Sequence, residues 1–318
     1  IVYGPAMDAL AGFLDGPRAR GAFLLRSLLE PPWSLRIQDE APLSLIAVVR
    51  GPACYLPDGG DAVELCDGDV AIVKGPEPYT FADAPATAPQ VVIHPGEHCT
   101  DLAGNPMTDA MGLGVRTWGN DPAGRVVLLT GTYLTDGEIS RPLLDALPTA
   151  VVVRRDEWDT PLVGLLADEI ARDRPGDQAV LDRLLDLLLI AALRQWASRP
   201  GSRPPGWYRA QSDPIVGPAL RLLHDDPAAE WTVARLAAAV GISRAACARR
   251  FTELVGVPPM TYLARWRLAL AADLLREQGA TVGQVAARVG YTSPFTFSTA
   301  FKRHYGVSPR RHRERQPA

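Results

Sequence analysis

Two stretches in the C-terminal third of the chain share one pattern: WTVARLAAAVGISRAACARRF at 231–251 and TVGQVAARVGYTSPFTFSTAF at 281–301. Each begins as a short apolar helix, passes through a glycine (Gly241, Gly290) and opens a second helix behind a serine (Ser243, Ser293). Glycine suits the turn because the backbone there needs a positive φ. Serine suits the next position because its oxygen accepts from the free N–H groups of a first helical turn. Thr232 is placed to cap the leading helix of the first pair in the same way. A helix pair joined by so short a turn can present its second helix to the major groove of DNA. Two copies predict that one monomer reads two successive grooves.

The inward faces follow from helical spacing. In the first copy Cys247 and Phe251 fall at i and i+4, leaving Arg244, Ala245, Ala248 and Arg249 outward. In the second, Phe297, Phe301 and Tyr305 point inward, and Pro294 suits a first helical turn. A helix at 215–224 precedes the pair, and a long helix at 259–277, with Tyr262, Leu263, Trp266, Leu270 and Leu274 inward, joins the two copies.

These residues resemble the DNA-binding domain of the AraC/XylS family of transcription regulators. The resemblance covers about 214–315. Its most specific part is Val285-Ala286, Val289-Gly290-Tyr291, Ser293, Phe297, Ala300-Phe301-Lys302 and Gly306-Val307-Ser308-Pro309. Carried onto this chain, the resemblance implies base-edge contacts at Ala245, Ala248 and Arg249 in the first recognition helix, and at Pro294, Phe295, Ser298 and Thr299 in the second. Arg249 is the foremost candidate, since an arginine can grip guanine O6 and N7 with two bonds; the alternative is a phosphate contact or a solvated side chain. Arg244, Ser293, Thr296, Lys302 and Arg303 read as phosphate contacts, which fix register without reading sequence. The second helix departs from the family at Thr299, where a long basic residue is usual. Ala245, Pro294 and Phe295 offer only apolar contact, suited to thymine methyl groups, so the second helix is expected mainly to position the protein.

Charge divides along the same line. Residues 215–318 carry 15 Lys and Arg against seven Asp and Glu, a net +8; the rest of the chain is −11, giving −3 overall. A basic end is the electrostatic footprint of a nucleic-acid partner. The acidic front part suits a sensor or partner-binding role. A length of 318 residues with 47% hydrophobic and 22% charged residues reads as two soluble globular domains. The expected division is a sensor and dimerisation domain at 7–199, a linker at 200–213 that includes PGSRPPG (200–206), and a DNA-binding domain at 214–315. Met7 reads as a start, with 1–6 as an upstream extension on the alternative reading. The N-terminus shows no signal-peptide pattern, and the most apolar stretch, 184–193, is too short to span a bilayer. Four widely spaced cysteines do not form a secreted disulfide scaffold, so the cytoplasm is the expected compartment.

The front part begins with a short helix at 8–14. It continues with short apolar runs at 43–49, 53–56, 63–65, 70–73, 91–93 and 126–129, separated by Gly, Pro and Asp clusters. Such spacing suggests an antiparallel sandwich or barrel. The stretch 43–82 resembles a cupin β-barrel, a domain common in front of this DNA-binding domain. The fold expected is therefore α+β in two domains: a cupin-like β-barrel with following helices, then an all-α domain with two helix-turn-helix motifs joined by a long helix. The following helices fall at 161–172 and 178–197. The second is apolar over most of its circumference and reads as packed on the barrel on one side and on a second subunit on the other; burial within its own domain is the alternative.

No histidine lies between residues 1 and 90, so the usual cupin metal site is missing, and with it most of the case for a cupin enzyme. The segment His94-Pro-Gly-Glu97-His98-Cys99 has metal-ligating residue types. It reads first as a polar loop after a strand, because no second segment supplies further ligands. Cys54 and Cys66 lie on opposite arms of a hairpin. A three-residue loop sets them face to face; a two-residue loop, favoured by its apolar pairs, sets Cys54 opposite Leu65 and Leu56 opposite Val63. Sensor candidates are thus His94, His98, Cys99, Cys54 and Cys66, with no confident metal site and no cofactor. Trp33, Tyr55, Tyr79, Phe81 and Trp118 are candidates to line a pocket or to be ordinary core. The resemblance implies double-stranded DNA, RNA polymerase, a small-molecule or redox effector and a second copy of the chain as partners, and no membrane. The leading reading is a DNA-binding regulator, with a thiol- or metal-responsive version of it, or a cupin enzyme, as alternatives.

Overall fold

The computed structural model describes residues 23–96, 98–133, 137–138, 141–277 and 279–314. The helix expected at 8–14 lies outside them. The described residues divide into two compact units: 23–133 with 147–203, and 204–314 with Gly137, Glu138 and 141–146.

The first unit is built on two open sheets. The seven-stranded sheet has the order β10-β11-β1-β12-β3-β6-β13, from β1 (Phe23–Leu29), β3 (Leu43–Arg50), β6 (Val70–Lys74), β10 (Gly112–Gly114), β11 (Thr117–Gly119), β12 (Val126–Tyr133) and β13 (Ala150–Val153). The six-stranded sheet has the order β5-β4-β7-β2-β8-β9, from β2 (Ser34–Ile37), β4 (Ala53–Pro57), β5 (Val63–Leu65), β7 (Tyr79–Ala82), β8 (Val91–His94) and β9 (His98–Asp101). Leu29, Ile46, Val48 and Leu128 from one sheet and Leu35, Tyr55, Phe81 and Val91 from the other share one buried core.

This arrangement corrects the expected barrel. The sheets do not close on one another; each keeps its own edge strands, β10 and β13 in one, β5 and β9 in the other. The chain leaves one sheet for the other at Gly51-Pro52, between β3 and β4, and at Gly75-Pro76, between β6 and β7. Proline lacks the N–H needed to continue a ladder. Strand spacing is the same in a sandwich and in a barrel, so the sequence pattern did not separate them. Nor is the pairing wholly antiparallel: β1 with β11 and β2 with β8 run parallel.

The strand β12 has two jobs. Leu128, Thr130 and Thr132 face the space between the sheets, and the alternate residues face outward. On that outer side Gly131 meets a long helix, α3 (Asp177–Ser198), so closely that a Cβ on Gly131 would lie 2.5 Å from Leu185 Cδ1. Buried Leu181, Leu185, Leu188, Leu189, Ala192, Leu193 and Trp196 form the inner stripe of α3. Helix α2 (Leu162–Ile170) packs beside it. The short helix α1 (Arg141–Ala146) belongs to the second unit, where the Glu138 N–H donates to Asp273 Oδ1 at 2.8 Å.

The second unit is helical: α4 (Gly206–Ala210), α5 (Val216–Asp225), α6 (Val233–Ala239), α7 (Arg244–Val255), α8 (Pro259–Leu274), α9 (Val282–Arg288), α10 (Pro294–Tyr305) and α11 (Pro309–Glu314). Within the stretch read as linker, 206–210 is therefore helical and packs on α7, with Trp207 buried. The first helix pair closes around Leu220, Leu223, Leu236, Cys247 and Phe251, all buried. His224 stacks on Trp266 of α8 at 4.3 Å and shares a 2.8 Å hydrogen bond with the Tyr262 hydroxyl. The second pair closes around Leu268, Ala271, Val285, Phe297 and Phe301.

One side chain of α8 ties the pairs together. Arg267 donates from Nε to Pro227 O (2.6 Å) and from Nη2 to Ala229 O (2.8 Å), in the loop between α5 and α6. Its Nη1 donates to Gly290 O (3.3 Å), in the turn of the second pair. Gly290 itself has φ +81°, and a Cβ there would lie 2.7 Å from the Ala228 backbone. Glycine is thus required at this turn both for its dihedral and for the close approach of the two loops.

Candidate nucleic-acid interface and sensor cavity

The two recognition helices, α7 and α10, are built alike. Ser243 Oγ accepts from Ala246 N at 3.3 Å, and Ser293 Oγ from Thr296 N at 3.2 Å. Each helix ends in a left-handed glycine, Gly256 (φ +88°) and Gly306 (φ +73°), whose N–H donates back to Thr252 O and Lys302 O. In each, one stripe is buried, Cys247 with Phe251 and Phe297 with Phe301. Burial raises the Cys247 thiol above its ordinary pKa, in keeping with a core role.

On α7, Arg244, Ala245 and Arg249 are exposed and Ala248 is half-buried. The Arg249 guanidinium stands 3.7 Å from Glu253 one turn on, with both side chains largely in water. So exposed a pair is weak and leaves Arg249 available to a ligand. Its neighbour Arg250 is committed instead to Asp213, with Nη2 to Oδ2 at 2.7 Å. Asp213 also caps α5 by accepting from Ile215 N and Val216 N, both at 2.9 Å. The Arg250 hydrogen bond and these backbone donors lower the Asp213 carboxyl to about 2.

On α10, Pro294, Phe295, Thr296, Thr299, Lys302 and Arg303 are exposed, and Ser298 is half-buried. The Thr296 hydroxyl donates to Ser293 O at 2.9 Å, so it serves the cap first. Phe295 stands out with 80% of its surface in water.

Between the sheets of the first unit lies a cavity of about 380 Å³. Its walls are mainly apolar, among them Leu24, Ile37, Ile46, Phe81, Trp118 and Leu128. Asp39, His94, Arg116, Thr130 and Thr132 add polar groups. Burial raises the Asp39 carboxyl above its ordinary range. Arg116, with a left-handed φ of +50°, donates to Gln178 Oε1 at 3.0 Å, at the start of α3. Of the aromatic candidates, Tyr79, Phe81 and Trp118 line this space, while Trp33 and Tyr55 are buried core. Asp39 and Arg116 carried no sequence signal, because neither sits in a motif and the segments after β2 and before β11 are brought together only by the fold.

The sensor candidates separate. His94 and Cys99 line the cavity; His98, Cys54 and Cys66 do not. His94 faces His98 across the β8–β9 hairpin, its Nε2 2.9 Å from Thr100 Oγ1, and Glu97 lies outside the described residues. Among the described residues no three His, Cys, Asp or Glu side chains come together to hold a metal ion. Both hairpin registers expected for the cysteines are overturned: Cys54 pairs with Glu64 and Tyr55 with Val63. The strands meet one step from the two-residue-loop register and two from the three-residue-loop one, with Ala53 set opposite the fully buried Leu65. Cys54 is buried, Cys66 is exposed, and both are free thiols. Burial, with Glu64 and Asp83 nearby, raises the Cys54 thiol, the opposite of what a reactive cysteine needs. Among the described residues no helix is long and apolar enough to cross a membrane.

Comparison with known proteins agrees with both units. Residues 8–198 match the family model described as cupin, and 236–315 match that of a helix-turn-helix domain. An AraC-like transcription regulator of Streptomyces lividans is 34% identical over 311 residues, 95% of this chain and 97% of that protein. Another, from Streptomyces antibioticus, is 31% identical over 314 residues, covering 95% and 97%. A solved AraC-type transcriptional regulator structure from Chromobacterium violaceum is 28% identical, with a TM-score of 0.32, covering 34% of this chain and 99% of that one. The chain belongs to the AraC/XylS family of helix-turn-helix transcription regulators, with an N-terminal cupin-type sensor domain.

Proposed function

We propose that this regulator binds a two-groove DNA site through α7 and α10 and acts there on RNA polymerase, under control of an organic effector held between its two β-sheets. The observation that carries the DNA reading is the repeated recognition helix, capped and stopped alike, with its outward edge free of core duties. In this reading Arg249 contacts a base edge, with Ala245 and Ala248 beside it. Arg244, Ser293, Thr296, Lys302 and Arg303 contact phosphates, and Pro294, Phe295, Ser298 and Thr299 line the groove at the second helix. The corresponding division of labour gives sensing to 7–199, connection to 200–213 and DNA binding to 214–315.

The cavity supports the effector reading because its apolar walls and few polar groups suit a small organic molecule. Its contacts run outward to α3 by two routes: through Arg116 to Gln178, and through β12, whose opposite face carries Gly131 against Leu185. We further propose that α3 pairs with α3 of a second copy. Val180 and Leu187 on its outer side are 45% and 50% exposed, aliphatic surface that its own unit leaves in water. An oxidant-sensing version has less support, since Cys54 is buried opposite Glu64 and Cys66 stands apart from the cavity.

A mobility shift with DNA upstream of the gene, at stated salt against random competitor, tests the core of this reading. A specific complex is expected; shifting no better than competitor contradicts it. On that site Arg249→Ala costs about 1–3 kcal/mol and relaxes one base position. Equal weakening on unrelated DNA reduces Arg249 to a phosphate contact. Thr130→Trp, which fills the cavity, is expected to abolish the response to any metabolite that alters the shift while leaving effector-free binding intact; a retained response places the effector elsewhere. In sedimentation velocity Leu187→Glu is expected to convert dimer to monomer, and an unchanged dimer rules out α3 as the contact.

A further inference from the structure

Phe295 occupies a position that the fold does not explain. It is the second residue of α10, one step after Pro294, and at 80% exposure it is the most exposed large apolar side chain among the described residues. The core of the second helix pair is completed without it: Phe297 and Phe301 fill the buried stripe, joined by Tyr291 and Tyr305 at ring separations of 5.4 and 4.6 Å. An aromatic residue is also a mediocre helix former, so helix stability does not ask for it.

The chemistry of the surrounding edge narrows what Phe295 can do. Pro294 and Ser298, and Phe295 and Thr299, lie one turn apart and share the outward edge. None is a guanidinium, ammonium or carboxamide, so the edge lacks the two-pronged groups that read guanine or adenine. The cations of this helix, Lys302 and Arg303, sit in its last turn, where they suit the phosphate backbone rather than base edges entered by the N-terminal turn. What remains is one large apolar surface. In the major groove the apolar feature of the four bases is the thymine C5-methyl group.

We propose that Phe295 makes α10 a sequence reader, selecting thymine by contact with its C5-methyl group, rather than a helix that only positions the protein. The inference rests on the DNA-binding reading above. It changes the picture of specificity: α7 reads through Arg249 by hydrogen bonding, and α10 through Phe295 by apolar contact.

Replacing thymine by deoxyuridine removes this methyl group and leaves every hydrogen-bonding group in place. The test uses the full chain on its specific site, with each thymine changed singly to deoxyuridine and affinity followed by mobility shift. One thymine, or two adjacent ones, is expected to lose about fourfold on substitution, the equivalent of burying one methyl group. With Phe295→Ala, affinity for the unmodified site falls by a similar factor and deoxyuridine at that position costs nothing further. Phe295→Leu, which keeps an apolar contact, retains part of the sensitivity. A specific complex indifferent to deoxyuridine at every thymine overturns the proposal while leaving DNA binding intact. So does a Phe295→Ala protein that keeps the wild-type sensitivity. A chain that forms no specific complex overturns both this proposal and the reading beneath it.

Discussion

Two helix-turn-helix pairs on one chain can read two grooves together only if something holds them at a fixed separation. In this protein α8 packs into the cores of both pairs, and its Arg267 guanidinium bridges their loops directly. Placed on the helix that joins the pairs, it donates to Pro227 and Ala229 on one side and to Gly290 on the other. Burial pushes its pKa down, so these carbonyl dipoles are what make a half-buried cation tolerable there. Hydrogen bonds from a charged donor contribute about 1.5–3 kcal/mol, more than an ordinary backbone bond. Gly290 completes the joint, since only a residue without Cβ lets its turn approach Ala228. Both recognition helices pack on α8, the helix that carries this joint, and their own caps and glycine stops set where each begins and ends.

The sensor half depends on a single strand in a comparable way. The strand β12 turns Thr130 and Thr132 toward the cavity and Gly131 toward α3, because alternate residues of a strand face opposite ways. One strand thus lines the cavity with one face and packs against the long helix with the other. Gly131 matters here as a missing side chain, since any Cβ would push Leu185 away. The route from cavity to helix is short and lies within one compact unit.

The helical half was largely legible in the sequence. Ser caps, glycine turns and the Cys247–Phe251 and Phe297–Phe301 stripes are local signals, and the helices fell within a few residues of their expected bounds. Arg267 was not legible, because its partners are backbone carbonyls distant in the chain, and such acceptors carry no residue type. Six strands, β3 to β6, β8 and β12, were readable from their apolar runs; β1, β2, β7, β9, β10, β11 and β13 were not, and neither was the assembly. Whether sheets close depends on which edges meet, and the Gly51-Pro52 and Gly75-Pro76 breaks divide them into two. The hairpin register of Cys54 failed for a related reason: apolar pairing favoured Cys54 opposite Leu65, and the fold sets the buried Ala53 there instead. Cavity residues such as Asp39 and Arg116 became visible only once β2 and β11 had places in the fold.

The decisive measurement compares affinity for a site containing both groove segments with affinity for one in which the segment under α10 is scrambled, in the full chain and in Arg267→Met. In the unmodified protein the second segment acts at high effective concentration, and restoring it is expected to raise affinity by about tenfold or more. In Arg267→Met, with circular dichroism confirming that the helices remain, that gain is expected to shrink to about twofold or less while binding to the first segment persists. An undiminished gain in Arg267→Met would show that the two pairs are held in register by something else, and would contradict the central role of the Arg267 joint.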